Sequence, residues 1–242
     1  MKNIYIIIYG LVAYLFSFAT LLYFLLFIGA WDFLPFHIDS GSSQSLISAV
    51  LINLSLAILF CFHHSIAARK SFKDRIIKII HPVIERSTYV LVSGILLILL
   101  CLYWSHIDGY LWKIENNALR IVLISIYIFG WVFSTIGTFL INHFELFGLE
   151  QVYLNFKKRS KEEAYFTEKY FYKFIRHPIQ LGTLIGIWFT PDMSYTHLML
   201  SVMFTIYIFI GLYFEEKDLV RDLGKVYKDY QKRVSMIIPF KI

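Results

Sequence analysis

The sequence predicts an all-α, polytopic integral membrane protein: four long transmembrane helices, a C-terminal helical hairpin and a cytoplasmic amphipathic helix. Three observations carry that class. Hydrophobic residues make up 58% of the chain and charged ones 17%, against ~45–50% and ~25% in soluble domains. The apolar residues fall in unbroken blocks, and the mean hydropathy reaches +0.62. Lys and Arg alternate between loops that are rich in them and loops that nearly lack them.

The blocks give the elements in order. Residues 4–28, 46–68, 88–104 and 121–141 contain no Asp, Glu, Lys or Arg. A helix needs ~20 apolar residues to cross a bilayer, so these are four spans. The opening MKNIY places a cation before an apolar run, as a signal peptide does. The run is too long for a signal-peptide core, however, and no A-x-A-like site follows, so a retained helix is expected. Cys61 and Cys101 fall inside spans; they form neither a disulfide framework nor a metal-ligand spacing and read as packing residues.

The net charge is +6, and its distribution says more than its sum. Lys and Arg number six in residues 69–86, seven in 157–176 and seven in 217–241, but none in 29–45 or 190–196 and two in 105–120. Under the positive-inside rule the basic loops and both termini, with Lys2, face the cytoplasm of a bacterial inner membrane. The partner implied is the lipid bilayer rather than nucleic acid. The oligomeric state is not legible.

A polar stretch, residues 143–174, leads to RHPIQLGTLIGIWF (176–189). The apolar part, 178–190, would cover only ~20 Å of a ~30 Å core. TPDMSY (190–195) reads as a turn, and 197–214 returns as the second arm of a tight hairpin. In the tail, 214–234, Leu219, Val220, Leu223, Val226, Tyr227, Tyr230 and Val234 recur at helical spacing, giving one apolar face. Lys225–Asp229 and Asp229–Arg233 are opposite charges four apart, and Gly224 interrupts the helix.

Four polar groups stand out. Arg176-His177-Pro178 opens the hairpin; Pro suits the first helical turn and Arg can snorkel to phosphates, which alone would explain them. Glu215-Glu216 closes the hairpin and alone reads as a solvated helix end. The two groups must meet at the inner membrane surface. HFELFGLEQ (143–151) follows the fourth span; His143 and Glu145 can serve one site only if the helix ends there. His63-His64, with His81 and His143, is a candidate metal or haem site, although adjacent histidines cannot both enter one helical cluster. No Walker loop, G-x-G-x-x-G, G-x-S-x-G or H-E-x-x-H motif is present. No span carries a charge to mark a permease path.

In order and spacing, RHPIQLG (176–182), EEKDLVRDLGKVYKDY (215–230) and VSMIIP (234–239) resemble the membrane methyltransferases related to isoprenylcysteine carboxyl methyltransferase. ERSTYVL (85–91), NHFELFGLEQV (142–152) and FTPDMSYTHLM (189–199) resemble the methanethiol S-methyltransferase branch of that group, near the nitric-oxide-reductase-associated membrane proteins. The resemblance implies residues 1–142 as a transmembrane region and 143–242 as a methyltransferase region that binds S-adenosyl-L-methionine. It carries cofactor contacts onto Tyr172, His177, Pro178, Ile179, Gln180 and Glu215, with Gln180 standing where the family has Tyr. It also implies a small lipophilic thiol, methanethiol, as acceptor and dimethyl sulfide as product. The carboxyl methyltransferases carry a substrate-binding Arg four residues before the Glu; here that position is Gly211.

The chemistry agrees with that resemblance. Glu215 or Glu216 suits the cofactor's ammonium, and Arg176 or the N–H groups after His177 suit its carboxylate. In-line methyl transfer is served by positioning and exclusion of water. The acceptor must be a thiolate, and a cysteine-like thiol has a pKa of about 8.5. His143 is the candidate base, Glu145 its orienting partner and Arg176 a candidate cationic neighbour. The rival readings are an isoprenoid or lipid acceptor, and a haem- or metal-binding redox protein using His63, His64 and His143.

Overall fold

The computed structural model describes residues 2–41, 44–160 and 166–239. In chain order they form α1 (Lys2–Ile28), α2 (Leu46–Ala67), α3 (Lys70–Ile76), a 3-10 turn (Pro82–Ile84), α4 (Glu85–Tyr103), β1 (Tyr110–Lys113), α5 (Asn117–Ile141) and α6 (His143–Leu146). Then follow α7 (Leu149–Lys157), a second 3-10 turn (Tyr170–Lys173), α8 (Pro178–Trp188), β2 (Asp192–Ser194), α9 (Tyr195–Leu223) and α10 (Lys225–Arg233). Lys161 and Lys241, two of the basic residues in the charge pattern, lie outside the described residues.

Among the described residues five helical segments are long and apolar enough to cross a membrane: Ile4–Ile28, Leu46–Ala67, Pro82–Tyr103, Asn117–Ile141 and Tyr195–Leu223. The protein is a multi-pass, all-α integral membrane protein. The first arm of the hairpin, α8, has 11 residues. At 1.5 Å per residue it covers ~16 Å, about half of a ~30 Å hydrocarbon core.

The chain divides into two compact units, Met1–Asp108 with Asn142–Ala164, and Gly109–Ile141 with Tyr165–Ile242. In the first, α1 packs along α4 and α7. The loop around Gly148 docks on the start of α4: Arg86 Nε donates to the Leu146 carbonyl at 2.7 Å and Ser87 Oγ to that of Gly148 at 3.1 Å. Gly148 has φ +82°, and a Cβ there would lie 2.6 Å from the Ser87 nitrogen. Both the left-handed backbone and the close approach require glycine. Two of the quoted motifs, ERSTYVL and NHFELFGLEQV, are thus the two sides of one contact.

In the second unit α5 lies against α8. A Cβ on Gly130 would meet the Gly186 nitrogen at 2.7 Å, and one on Gly182 would meet the Gly130 carbonyl oxygen at 2.5 Å. Small residues facing each other let the two backbones touch, the usual way apolar helices associate where water provides no drive. The turn expected at 190–195 contains a strand: β2 pairs antiparallel with β1, Tyr110 opposite Ser194 and Lys113 opposite Asp192. Arg120 clamps it by donating to both Asp192 oxygens at 2.7 and 2.8 Å. Strands this short leave no readable alternation.

The returning arm does not stop at Phe214, because α9 runs unbroken to Leu223 and ends only at Gly224, φ +59°. The apolar face of the tail packs on the protein itself: Tyr227, Tyr230 and Val234 join Phe166, Leu219, Val220 and Leu223. Asp229 pairs with Lys232 at 2.9 Å, three residues on, whereas Arg233 reaches Glu168 at 2.9 Å.

Candidate functional site

The site in the second unit is built where four pieces of chain meet. The backbone of 175–177 runs alongside the C-terminal segment: Ile175 bridges Ser235 in parallel, and the Arg176 and His177 amides donate to the Ser235 and Met236 carbonyls at 2.9 and 3.1 Å. That pairing fixes RHP against VSMIIP before Pro178 starts α8.

Glu216 is the hub. Its carboxylate accepts from Arg176 Nε at 2.9 Å and Nη2 at 3.0 Å, His177 Nε2 at 2.6 Å, the Tyr227 hydroxyl at 2.7 Å and the Gln231 amide. Arg176 Nη1 goes to the Val234 carbonyl. The Arg176 and Glu216 side chains are 11% and 12% exposed, so their charges are largely spent on each other and on fastening α10.

Glu215 faces the other way. Its side chain is half exposed, lies 3.9 Å from His177 Nδ1, and borders a cavity of about 190 Å³ that Glu216 does not line. Phe166, Thr167, Tyr172, Ile179, Gln180, Tyr227 and Tyr230 contribute to its walls, with Arg176 and His177 at its back. Burial raises the pKa of Tyr172, and the nearby Glu215 adds to it. Burial also raises Tyr227 and Tyr230, and the bond to Glu216 raises Tyr227 further. All three phenols therefore stay protonated donors: Tyr172 to the Gly137 carbonyl at 3.5 Å, Tyr227 to Glu216 and Tyr230 to the Tyr172 carbonyl. The first turn of α8 contributes Ile179 and Gln180 to this cavity wall. Pro178 has no N–H, and no side chain caps Ile179 or Gln180.

The cofactor residues expected from the sequence thus converge: Tyr172, His177, Ile179, Gln180 and Glu215 around one cavity, with Pro178 buried at the helix start and Glu216 behind. His143 and Glu145 belong to the first unit. His143 is 3% exposed, and its Nε2 is hydrogen-bonded to the Tyr14 hydroxyl at 3.0 Å. Aromatic rings of Phe18, Phe144 and Phe147 pack around it. Burial lowers its pKa, so the ring is neutral. Asn142 caps α6 by accepting from the Glu145 amide at 3.1 Å, and its side-chain amide donates to the Glu145 carboxylate at 3.4 Å and to that of Glu150. The helix before His143 ends at Ile141, earlier than Gly148.

The four-histidine metal reading finds no support in the geometry. His64 Nδ1 meets the Tyr89 hydroxyl at 3.0 Å and His63 Nδ1 meets Ser93 Oγ at 3.4 Å. Among the described residues no three His, Cys, Asp or Glu side chains are placed to hold a metal ion. Sequence reasoning did not single out Tyr14, Thr167, Phe166 or Gln231. It read Tyr227 and Tyr230 only as an apolar face; their hydroxyls are the part a periodicity argument cannot place.

Fold and cavity together define a class: a multi-pass α-helical membrane protein whose short hairpin and C-terminal helix enclose a polar and aromatic cavity. Comparison with known proteins narrows it. The chain is 40% identical over 240 residues to a methanethiol S-methyltransferase of Crocosphaera subtropica, covering 99% of this chain and 94% of that one. It is 41% identical to one of Bradyrhizobium diazoefficiens, covering 97% and 82%, and 38% identical to one of Mycobacterium tuberculosis, covering 99% and 98%. A more distant likeness, 25% over 165 residues, is to the Nurim protein of Xenopus laevis, covering 65% of this chain and 58% of that one. The chain belongs to the methanethiol S-methyltransferase family. No family profile and no solved structure matches it.

Proposed function

We propose that this protein transfers a methyl group from S-adenosyl-L-methionine to methanethiol, giving dimethyl sulfide. The observation that carries the reading is the convergence of Tyr172, His177, Ile179, Gln180 and Glu215, from separate segments, on one cavity in a chain of this family. The donor set fits the cofactor. Glu215, whose carboxylate is not consumed by the Glu216 hub, takes the ammonium. The Ile179 and Gln180 amides at the start of α8 take the carboxylate, aided by the helix dipole. Arg176 is too fully engaged for that part; it holds Glu216 and the C-terminal segment. Phe166, Tyr172 and Tyr227 offer ring faces to the adenine. When bound, the cofactor supplies an electrophilic sulfonium methyl group.

The acceptor side calls for a base, and His143, neutral and desolvated, is the group we assign to it, with Glu145 and Asn142 fixing the turn that carries it. Gly211, with open space around it, stands where the carboxyl methyltransferases carry an Arg for an anionic substrate; this favours a small uncharged thiol over an isoprenylcysteine. We place the basic loops and both termini at the cytoplasmic face of a bacterial inner membrane, with the thiol arriving through lipid.

Headspace gas chromatography over membranes containing the protein, methanethiol and S-adenosylmethionine tests the reading. The native chain should release dimethyl sulfide, and the variant Glu215→Gln/Gln180→Ala should release little while keeping its melting temperature. A native protein that binds the cofactor yet forms no dimethyl sulfide would overturn the assignment of the acceptor.

A further inference from the structure

Within the first unit, α7 lies against the N-terminal half of α1, and Gly10 sets how closely. A Cβ on Gly10 would stand 2.5 Å from Cγ2 of Val152, so the glycine is what admits that side chain. Beside the contact is an apolar cavity of about 550 Å³, walled by Ile7 and Leu11 of α1, Phe144 of α6, and Leu149 and Tyr153 of α7. Its volume is in the ~300–1,000 Å³ range of small-molecule sites. Leu11, Phe144 and Tyr153 are exposed at its mouth. Ile7 and Leu11 stand ~8 and ~14 Å along the helix from Lys2, within one leaflet of a ~30 Å core.

The remaining wall residues are Asn142 and Glu150. The Asn142 side-chain amide donates to Glu150 Oε2. Among the described residues the Glu150 carboxylate has no other hydrogen bond and no ion pair, not even with Arg159, which shares a second cavity with it. A carboxylate on an apolar wall is costly to leave without a cation. Glu150, Tyr153 and Lys157 fall at i, i+3 and i+7, one stripe of α7 about 10 Å long. Lys157 Nζ stands 6.0 Å from the centroid of the Tyr153 ring. An anion, a phenol and a cation thus follow one another along the edge of an apolar, lipid-facing cavity.

We propose that this cavity holds an aminophospholipid of the surrounding bilayer, phosphatidylethanolamine. An acyl chain fills the apolar part against Ile7 and Leu11, the ammonium meets Glu150, and the phosphate lies toward Lys157. A primary ammonium brings three N–H donors; the trimethylated head of phosphatidylcholine brings none, and phosphatidylglycerol brings no cation. The bound lipid takes no part in methyl transfer.

The test titrates the full-length protein in detergent micelles with dioleoyl phosphatidylethanolamine, phosphatidylcholine or phosphatidylglycerol and counts bound lipid by native mass spectrometry. The native chain should hold one phosphatidylethanolamine about tenfold more tightly than either other lipid, the factor a charge-assisted hydrogen bond provides. Glu150→Gln keeps an acceptor for Asn142 and removes only the charge. Its affinity for phosphatidylethanolamine should fall to that for phosphatidylcholine. Leu11→Trp, at an exposed position of the wall, fills the cavity and should weaken all three lipids at unchanged melting temperature. Equal native affinity for the three lipids, a preference for phosphatidylglycerol, or phosphatidylethanolamine binding unchanged in either variant would each overturn the proposal. Should Glu150→Gln fail to fold, Leu11→Trp and the three-lipid comparison decide alone.

Discussion

Glu215 and Glu216 are adjacent in sequence but face different surroundings, one bordering the cavity and the other inside the Arg176 hub, and the contrast is testable residue by residue. Glu216 sits at 12% exposure among five donors with Arg176 at 11%; removing one partner of such a pair strands the other. Glu216→Ala is expected to cost about 3–5 kcal/mol, read as a large fall in melting temperature in detergent, with α10 released. Glu215→Gln leaves the hub intact. It removes one half-exposed charge-assisted bond, so the fold should keep its melting temperature while the cofactor dissociation constant rises roughly tenfold by calorimetry. Comparable loss of stability in both variants would contradict the division of labour. His143 gives a pH signature. Its pKa is lowered by burial, so the neutral base persists below the ordinary histidine range near ~6.5. The acid limb of kcat should lie below that value and vanish in His143→Gln. The sign for stability is the same: the unfolded ring takes up its proton first as pH falls, so the native state loses stability below about 6.5.

The hairpin and its cap decide the site at the scale of elements. Gly130→Ala would drive a Cβ to 2.7 and 2.8 Å from backbone atoms of α8, atoms that cannot rotate away. Displacement of α8 should remove cofactor binding although no cavity residue is altered; a fully active Gly130→Ala would refute the packing argument. The cavity, at about 190 Å³, is smaller than the ~300–1,000 Å³ common for small-molecule sites, and α10 hangs from Gly224 at φ +59°. Cofactor binding is therefore expected to shift α10, seen as altered deuterium exchange over 225–234. The long apolar runs and the break at Gly224 were legible because burial in lipid and a left-handed turn each select residue types. The β1–β2 pair was not, since three or four residues carry no period. Nor was the continuation of α9 past Phe214, because a change from apolar to charged residues marks the water boundary and not the end of a helix.

For the whole molecule, the sequence supplied the membrane class through composition and, through the order of RHPIQLG and the Glu pair, residues that come to line one cavity. It could not tell which glutamate joins the Arg176 hub, because that depends on which side of α9 faces α10. It also left Tyr14 out of the account: on an apolar helix a tyrosine more than a hundred positions from His143 looks like any other aromatic. Orientation remains open to direct assay. With Cys61 and Cys101 replaced, a cysteine introduced at Asp229 should react with an impermeant thiol reagent only in inverted vesicles, and one at Ser40 only in right-side-out vesicles; the reverse pattern would invert the topology.

The central claim is that this chain moves a methyl group from S-adenosylmethionine to methanethiol. The most direct measurement gives the purified protein in lipid nanodiscs methanethiol and S-adenosylmethionine carrying a trideuterated methyl group. Dimethyl sulfide heavier by the mass of three deuterons, in equal amount to S-adenosylhomocysteine, is the predicted result. Cofactor turnover without labelled dimethyl sulfide, or no turnover by a folded protein that binds the cofactor, would contradict the account.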